Sequence, residues 1–256
     1  MIERYKISTL ALAVATTMAF TQAHAQEQSD SSASKSDVKP ISEWNYDEIY
    51  ERGGFLANRL MGIDAIGESD EDIGNIVNAV LDEQNQIVAL IAEVGGLWGI
   101  GGTHVIVPWD QAELIDEGVR IPVNEDNVDD YDLYGENSAL TKEDLQDRGA
   151  VEPGAETGDR TWKLSELIND YASIESGAGY GYVDNVVFSE EGELMAVIVM
   201  PSGGAFTRGA TAYPFHGFQF GWHPGMTSYE LPYTEEDVSQ MTTFDYQEFD
   251  GRWDDS

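Results

Sequence analysis

The sequence predicts an all-β protein: two tandem small antiparallel β-barrels joined by an acidic linker, with short helical connections. Three observations carry this. Runs of β-branched residues, short enough for strands, alternate with turn residues. One such pattern repeats after 107 residues, from Ile73–Gly96 to Tyr180–Gly203, as a duplicated structural unit would. A Gly- and Pro-rich acidic break, with Gly149, Pro153, Gly154 and Gly158, lies between the two copies.

Taken in chain order, residues 1–25 read as a secretory leader. Arg4 and Lys6 open it, an apolar stretch runs from about Leu10 to Phe20, and Ala23-His24-Ala25 offers a small-x-small cleavage site. The apolar stretch is shorter than the ~20 residues of a spanning helix. The expected location is therefore periplasmic or secreted, with no transmembrane segment in the mature chain. Residues 26–52 begin polar and Ser-rich and read as a disordered linker. The first barrel is assigned to 53–134, the linker to 135–160, with a short helix capped by Thr141, and the second barrel to 161–250. Residues 251–256 form an acidic tail. Each barrel is expected to fold on its own core.

The repeat has chemical content. Gly74, Asn78, Val80, Ala89, Ile91 and Gly96 recur as Gly181, Asn185, Val187, Ala196, Ile198 and Gly203. Apolar types recur too, as in Ile76/Val183 and Leu81/Phe188. Two strands, Ile76–Leu81 and Ile87–Val94, flank Asp82-Glu83-Gln84-Asn85, and the second copy has Ser189-Glu190-Glu191-Gly192 there. Asn85 and Gly192 coincide, the two residue types that best tolerate a positive φ at a hairpin's last loop position. A third strand follows each pair and ends at Pro108 or Pro214, because proline cannot donate to a ladder.

In order, Leu60-Met-Gly-Ile-Asp, Ile73-Gly-Asn-Ile, Val80-Leu-Asp, Ile87-Val-Ala-Leu-Ile-Ala-Glu-Val-Gly-Gly and Val105-Ile-Val-Pro-Trp resemble the PRC-barrel family. The second copy keeps Gly181, the Leu194–Val199 strand and Tyr213-Pro-Phe, and diverges at its aromatic end. The resemblance implies PRC-type barrels that serve as binding or assembly modules. It brings no general catalytic residues and no cofactor.

Composition narrows the partners. The chain has 13 Lys+Arg against 48 Asp+Glu, a formal net charge of −35. Without the leader it keeps 47 acids and 11 bases, net −36. Nucleic acid is excluded, since phosphate needs clustered bases, and anionic membrane repels such a chain. With no cysteine, disulfides and thiol chemistry are absent. His104, His216 and His223 lack metal-ligand spacing, and the acid-rich Asn124–Asp132 departs from a calcium loop at Val128. The Gly-rich Gly95–Gly102 and Gly177–Gly181 precede strands, where a phosphate loop would precede a helix. No nucleophile elbow is present.

The candidate partner-binding aromatics are Tyr213, Phe215, Phe218, Phe220, Trp222, Tyr229 and Tyr233. They form either an exposed surface for an envelope protein or glycan, or the cap of the second core. The functional expectation is an exported, non-enzymatic binding or scaffold protein acting in the cell envelope at elevated salt. The alternatives are an envelope hydrolase of unknown substrate and an acidic salt-adaptation protein.

Overall fold

The computed structural model describes residues 38–95, 102–128, 131, 161–202, 209–220 and 222–253. The leader 1–25, the start of the linker at 26–37, the Gly-rich 96–101 and the acidic linker 135–160 with its Thr141 helix lie outside the described residues.

The all-β expectation holds. Thirteen strands are described: β1 (Gly53–Leu56), β2 (Asp64–Ile66), β3 (Asp72–Asp82), β4 (Ile87–Val94), β5 (Thr103–Pro108), β6 (Glu113–Ile115), β7 (Gly118–Arg120), β8 (Thr161–Lys163), β9 (Tyr171–Ser173), β10 (Gly179–Ser189), β11 (Leu194–Pro201), β12 (Thr211–Pro214) and β13 (Ser228–Glu230). Three short helices accompany them, α1 (Asp47–Arg52), α2 (Ala57–Leu60) and α3 (Glu235–Gln240). One sheet runs β5-β4-β3-β2-β7-β6 with β8 also on β3, and the other runs β12-β11-β10-β9-β13 with β1 also on β10.

Neither sheet closes, and each includes one parallel pair beside its antiparallel ones. β7 joins β2 in parallel, and β13 joins β9 in parallel. The long β3 has bulges between Ile76 and Asn78 and between Val80 and Leu81. Bulges bend a strand, and past the first of them β3 changes neighbours: Asp72, Gly74 and Asn75 pair with β2, and Val80, Leu81 and Asp82 with β8.

The 107-residue repeat is present in the registers themselves. Gly74 faces Val94 in β3–β4, and Gly181 faces Pro201 in β10–β11. Both hairpins carry bulges at the same two places. Asn85 has φ 65° and Gly192 has φ 86°, as the hairpin reading predicts. In the third strand the offset becomes 106, because Leu90 pairs with Val107 but Val197 with Tyr213. Pro108 and Pro214 then coincide at the strand ends.

The expectation of self-sufficient modules is corrected, because the halves exchange strands. β1 leads the first copy yet pairs with β10, Leu56 facing Val187. β8 leads the second copy yet pairs with β3, Lys163 facing Val80. Asn78 Oδ1 accepts from the Ser165 amide at 3.2 Å, and Asn185 Oδ1 accepts from the Asn58 amide, also at 3.2 Å. Ser165 is Asn58 shifted by 107. The two hairpin loops meet through reciprocal bonds that the 107-residue shift interchanges. There Ile87 N donates to Gly192 O and Leu194 N to Asn85 O, both at 3.0 Å, around the Gln86–Glu193 bridge. Phe55 stacks on Phe188 at 5.3 Å, and Trp162 donates to Asp82 O. One apolar cluster therefore includes residues of both copies.

Two boundary expectations are also corrected. The linker assigned to 26–52 is structured from Val38, because Trp44, Tyr46 and Ile49 are buried anchors. Trp44 Nε1 donates to Ala212 O at 2.9 Å and Tyr46 to Thr242 O at 2.6 Å. The acidic tail begins with residues that dock: Trp253 is buried and donates to Ile115 O at 2.9 Å, while Arg252 pairs with Glu190 at 2.8 Å. Composition hid both, since single aromatic anchors sit among acids.

Candidate functional site

The predicted aromatic segment turns inward. Tyr213, Trp222, Tyr229 and Tyr233 are all buried, and Phe215 and Phe220 are half-buried. The Phe218 side chain lies outside the described residues. Phe215 stacks on Tyr229 at 5.7 Å, and Trp222 meets Trp162 edge-on at 4.9 Å. Polar tips are satisfied internally. The hydroxyls of Tyr180 and Tyr213 lie 2.7 Å apart, Trp222 Nε1 donates to Asp170 at 2.9 Å, and His216 Nε2 meets the Tyr233 hydroxyl at 3.2 Å. Burial raises the Tyr213, Tyr229 and Tyr233 phenols well above their usual range and lowers the His216 imidazole. The expectation of a binding surface on Tyr213, Trp222, Tyr229 and Tyr233 is thus corrected: these rings cap the second core.

A different set of side chains faces solvent. The exposed large apolar residues among those described are Tyr171 (39%), Tyr182 (49%), Met200 (41%) and Met226 (42%). They are not scattered. Met200 on β11 faces Tyr182 on β10, Tyr182 faces Tyr171 on β9, and Tyr171 faces Ser228 on β13. Met226 lies in the turn entering β13, next to Thr227, whose carbonyl accepts from Tyr171 N. Met200, Tyr182 and Tyr171 thus cross three neighbouring strands at one level, and Met226 extends the row from the turn two residues before Ser228. Side chains alternate faces along a strand, and this level is on the outer face, because the inward neighbours Val183 and Val199 are buried.

The tyrosines are held. Their rings meet edge-to-face at 5.5 Å and 74°. The Tyr171 ring covers Gly179, where any side chain would collide with the Tyr171 hydroxyl. A platform fixed in this way loses little conformational freedom when something docks on it.

The first repeat supplies an internal control. Shifted by 107, Tyr171, Tyr182 and Met200 become Asp64, Asn75 and Glu93, in the same register: Asp64 faces Asn75 and Asn75 faces Glu93. Asn75 Nδ2 donates to Asp64 Oδ1 at 3.3 Å and to Gly62 O at 3.2 Å. The same backbone therefore tolerates polar side chains there, and folding does not require the apolar row of the second copy. The signal was present in the sequence as the mismatched pairs of an otherwise type-matched repeat.

Among the described residues, no three His, Asp or Glu side chains gather as a metal site, and no helix is long and apolar enough to cross a membrane. His104 is half-buried on β5, His216 is buried and His223 is exposed.

Compared with known proteins, residues 52–128 match the PRC-barrel domain. The match runs from the start of β1 past β7 and covers under a third of the chain. Among curated proteins none matches.

Proposed function

We propose that this is an exported, non-enzymatic binding protein whose docking face is the Met200–Tyr182–Tyr171–Met226 row. In this reading the second repeat is a diverged PRC-barrel that acquired the row. The observation that carries it is the contrast between that row and Asp64–Asn75–Glu93 at equivalent positions. Fixed tyrosines and methionines on an exposed sheet face are favoured at protein interfaces. PRC-barrel domains, which residues 52–128 match, are non-catalytic in general.

The partner is a protein with Lys or Arg at its contact surface. A chain of net charge −35 repels acidic partners and its own copies. Glu230 on β13 adds an exposed acid near the row. Tyrosine faces also attract ammonium and guanidinium groups. The leader-like 1–25 supports an action in the envelope or outside the cell, and the acidic composition supports one at elevated salt.

The test is a photo-cross-linking amino acid at position 182 or at position 75 in the expressing cell. A single basic protein should be captured from 182 and not from 75. Purified wild type should compete for that capture, whereas the Y171S/Y182S double variant should not. The same proteins captured at both positions, or none at 182, would overturn the proposal.

A further inference from the structure

A cavity of about 840 Å³ lies where three distant parts of the chain meet. α2 of the exchanged segment brings Asn58 and Arg59, β10 brings Asp184 beside its bulge, and the C-terminal segment brings Tyr246, Gln247 and Asp250. Buried Leu56 and Phe249 complete the lining. The volume is within the ~300–1,000 Å³ of small-molecule sites.

We propose that this cavity binds a small, neutral, polyhydroxylated molecule of the mono- or disaccharide class. A hydroxyl both donates and accepts, so a polyol needs donors and acceptors interleaved around it. The lining offers the Arg59 guanidinium and the Asn58 and Gln247 amides as donor groups, and the Asp184 and Asp250 carboxylates as acceptor groups. One cation against two anions disfavours anionic ligands, and the polar lining disfavours apolar ones. Tyr246 donates to Asp184 Oδ2 at 3.0 Å. This fixes the carboxylate and leaves it further acceptor capacity.

The site belongs to the second copy's corner. At the equivalent corner of the first copy, Lys163, Ser165, Glu166 and Val77 stand for Leu56, Asn58, Arg59 and Asp184. There Asn78 Nδ2 reaches directly to Ser165 Oγ at 2.7 Å and ties the corner together. At the second corner Asn58 replaces that serine, and residues 246–250 line the cavity.

The proposal is independent of the docking row, and its test uses the purified full-length protein. Glucose, N-acetylglucosamine and maltose are titrated by ligand-observed NMR and calorimetry, with choline and acetate as charged probes. At least one sugar should bind saturably. Its affinity should fall about tenfold or more in D184N and in Q247A, and should be unchanged in Y171S/Y182S. Gln247 is exposed, so Q247A retains the test if D184N proves unstable. No saturable sugar binding, tighter binding of choline or acetate than of any sugar, or loss of binding only in Y171S/Y182S would overturn it.

Discussion

Asn185 is 1% exposed, and its side chain joins parts of the chain 127 residues apart by accepting from the Asn58 amide. It also accepts from the Val186 amide at 3.0 Å. Asn78 does the same for Ser165 and Ala79 on a more exposed surface. Removing a buried acceptor leaves the paired amides unsatisfied, at about 1–3 kcal/mol. Asn185→Ala should therefore lower unfolding free energy by about 2 kcal/mol, and Asn78→Ala by less than about 1 kcal/mol, in urea titrations. Equal effects would deny the difference in burial its role. The identity Asn78/Asn185 was legible as a repeated residue, but its task was not. The orientation of the aromatics of 213–233 stayed open between surface and core cap for a related reason. Crowding shows that rings are present, not which way they point.

At the scale of elements, the hairpins β3–β4 and β10–β11 were legible because turn chemistry and apolar alternation are local. The exchange of β1 and β8 was not. Each is equivalent to the other under the repeat, so an internal repeat cannot distinguish pairing within a copy from pairing between copies. The segment before β1 was misread because its disorder-like composition at 26–37 gives way to Trp44, Tyr46 and Ile49 within a few residues. Trp44 is 9% exposed and donates to Ala212 O on β12, which Tyr46 also contacts through the Ala212 amide. Trp44→Ala removes a large buried ring and that donor, at about 3 kcal/mol. The urea midpoint should fall with the slope unchanged. A stability equal to wild type would show that residues 38–52 merely lie against the second sheet.

The whole molecule carries charge that its ion pairs cannot neutralise. The described pairs, such as Arg120 with Asp70 and Glu113 and Arg252 with Glu190, are largely exposed, and such pairs contribute little each. Self-repulsion of the compact state should then yield to screening, as the Debye length falls from about 10 Å at 0.1 M salt to about 3 Å at 1 M. The melting temperature should rise over that range of NaCl and less in a neutral osmolyte. A flat response would place the acids where they do not interact. The interlocked architecture is central, because exchange of β1 and β8 places α2 beside β10 and unites the two copies in one core. Its direct test is fragment complementation. Residues 26–135 and 136–256, expressed separately, should each lack a cooperative unfolding transition. Mixed, they should recover β-type circular dichroism and one shared transition. Two fragments that each fold alone, with unchanged transitions on mixing, would contradict it.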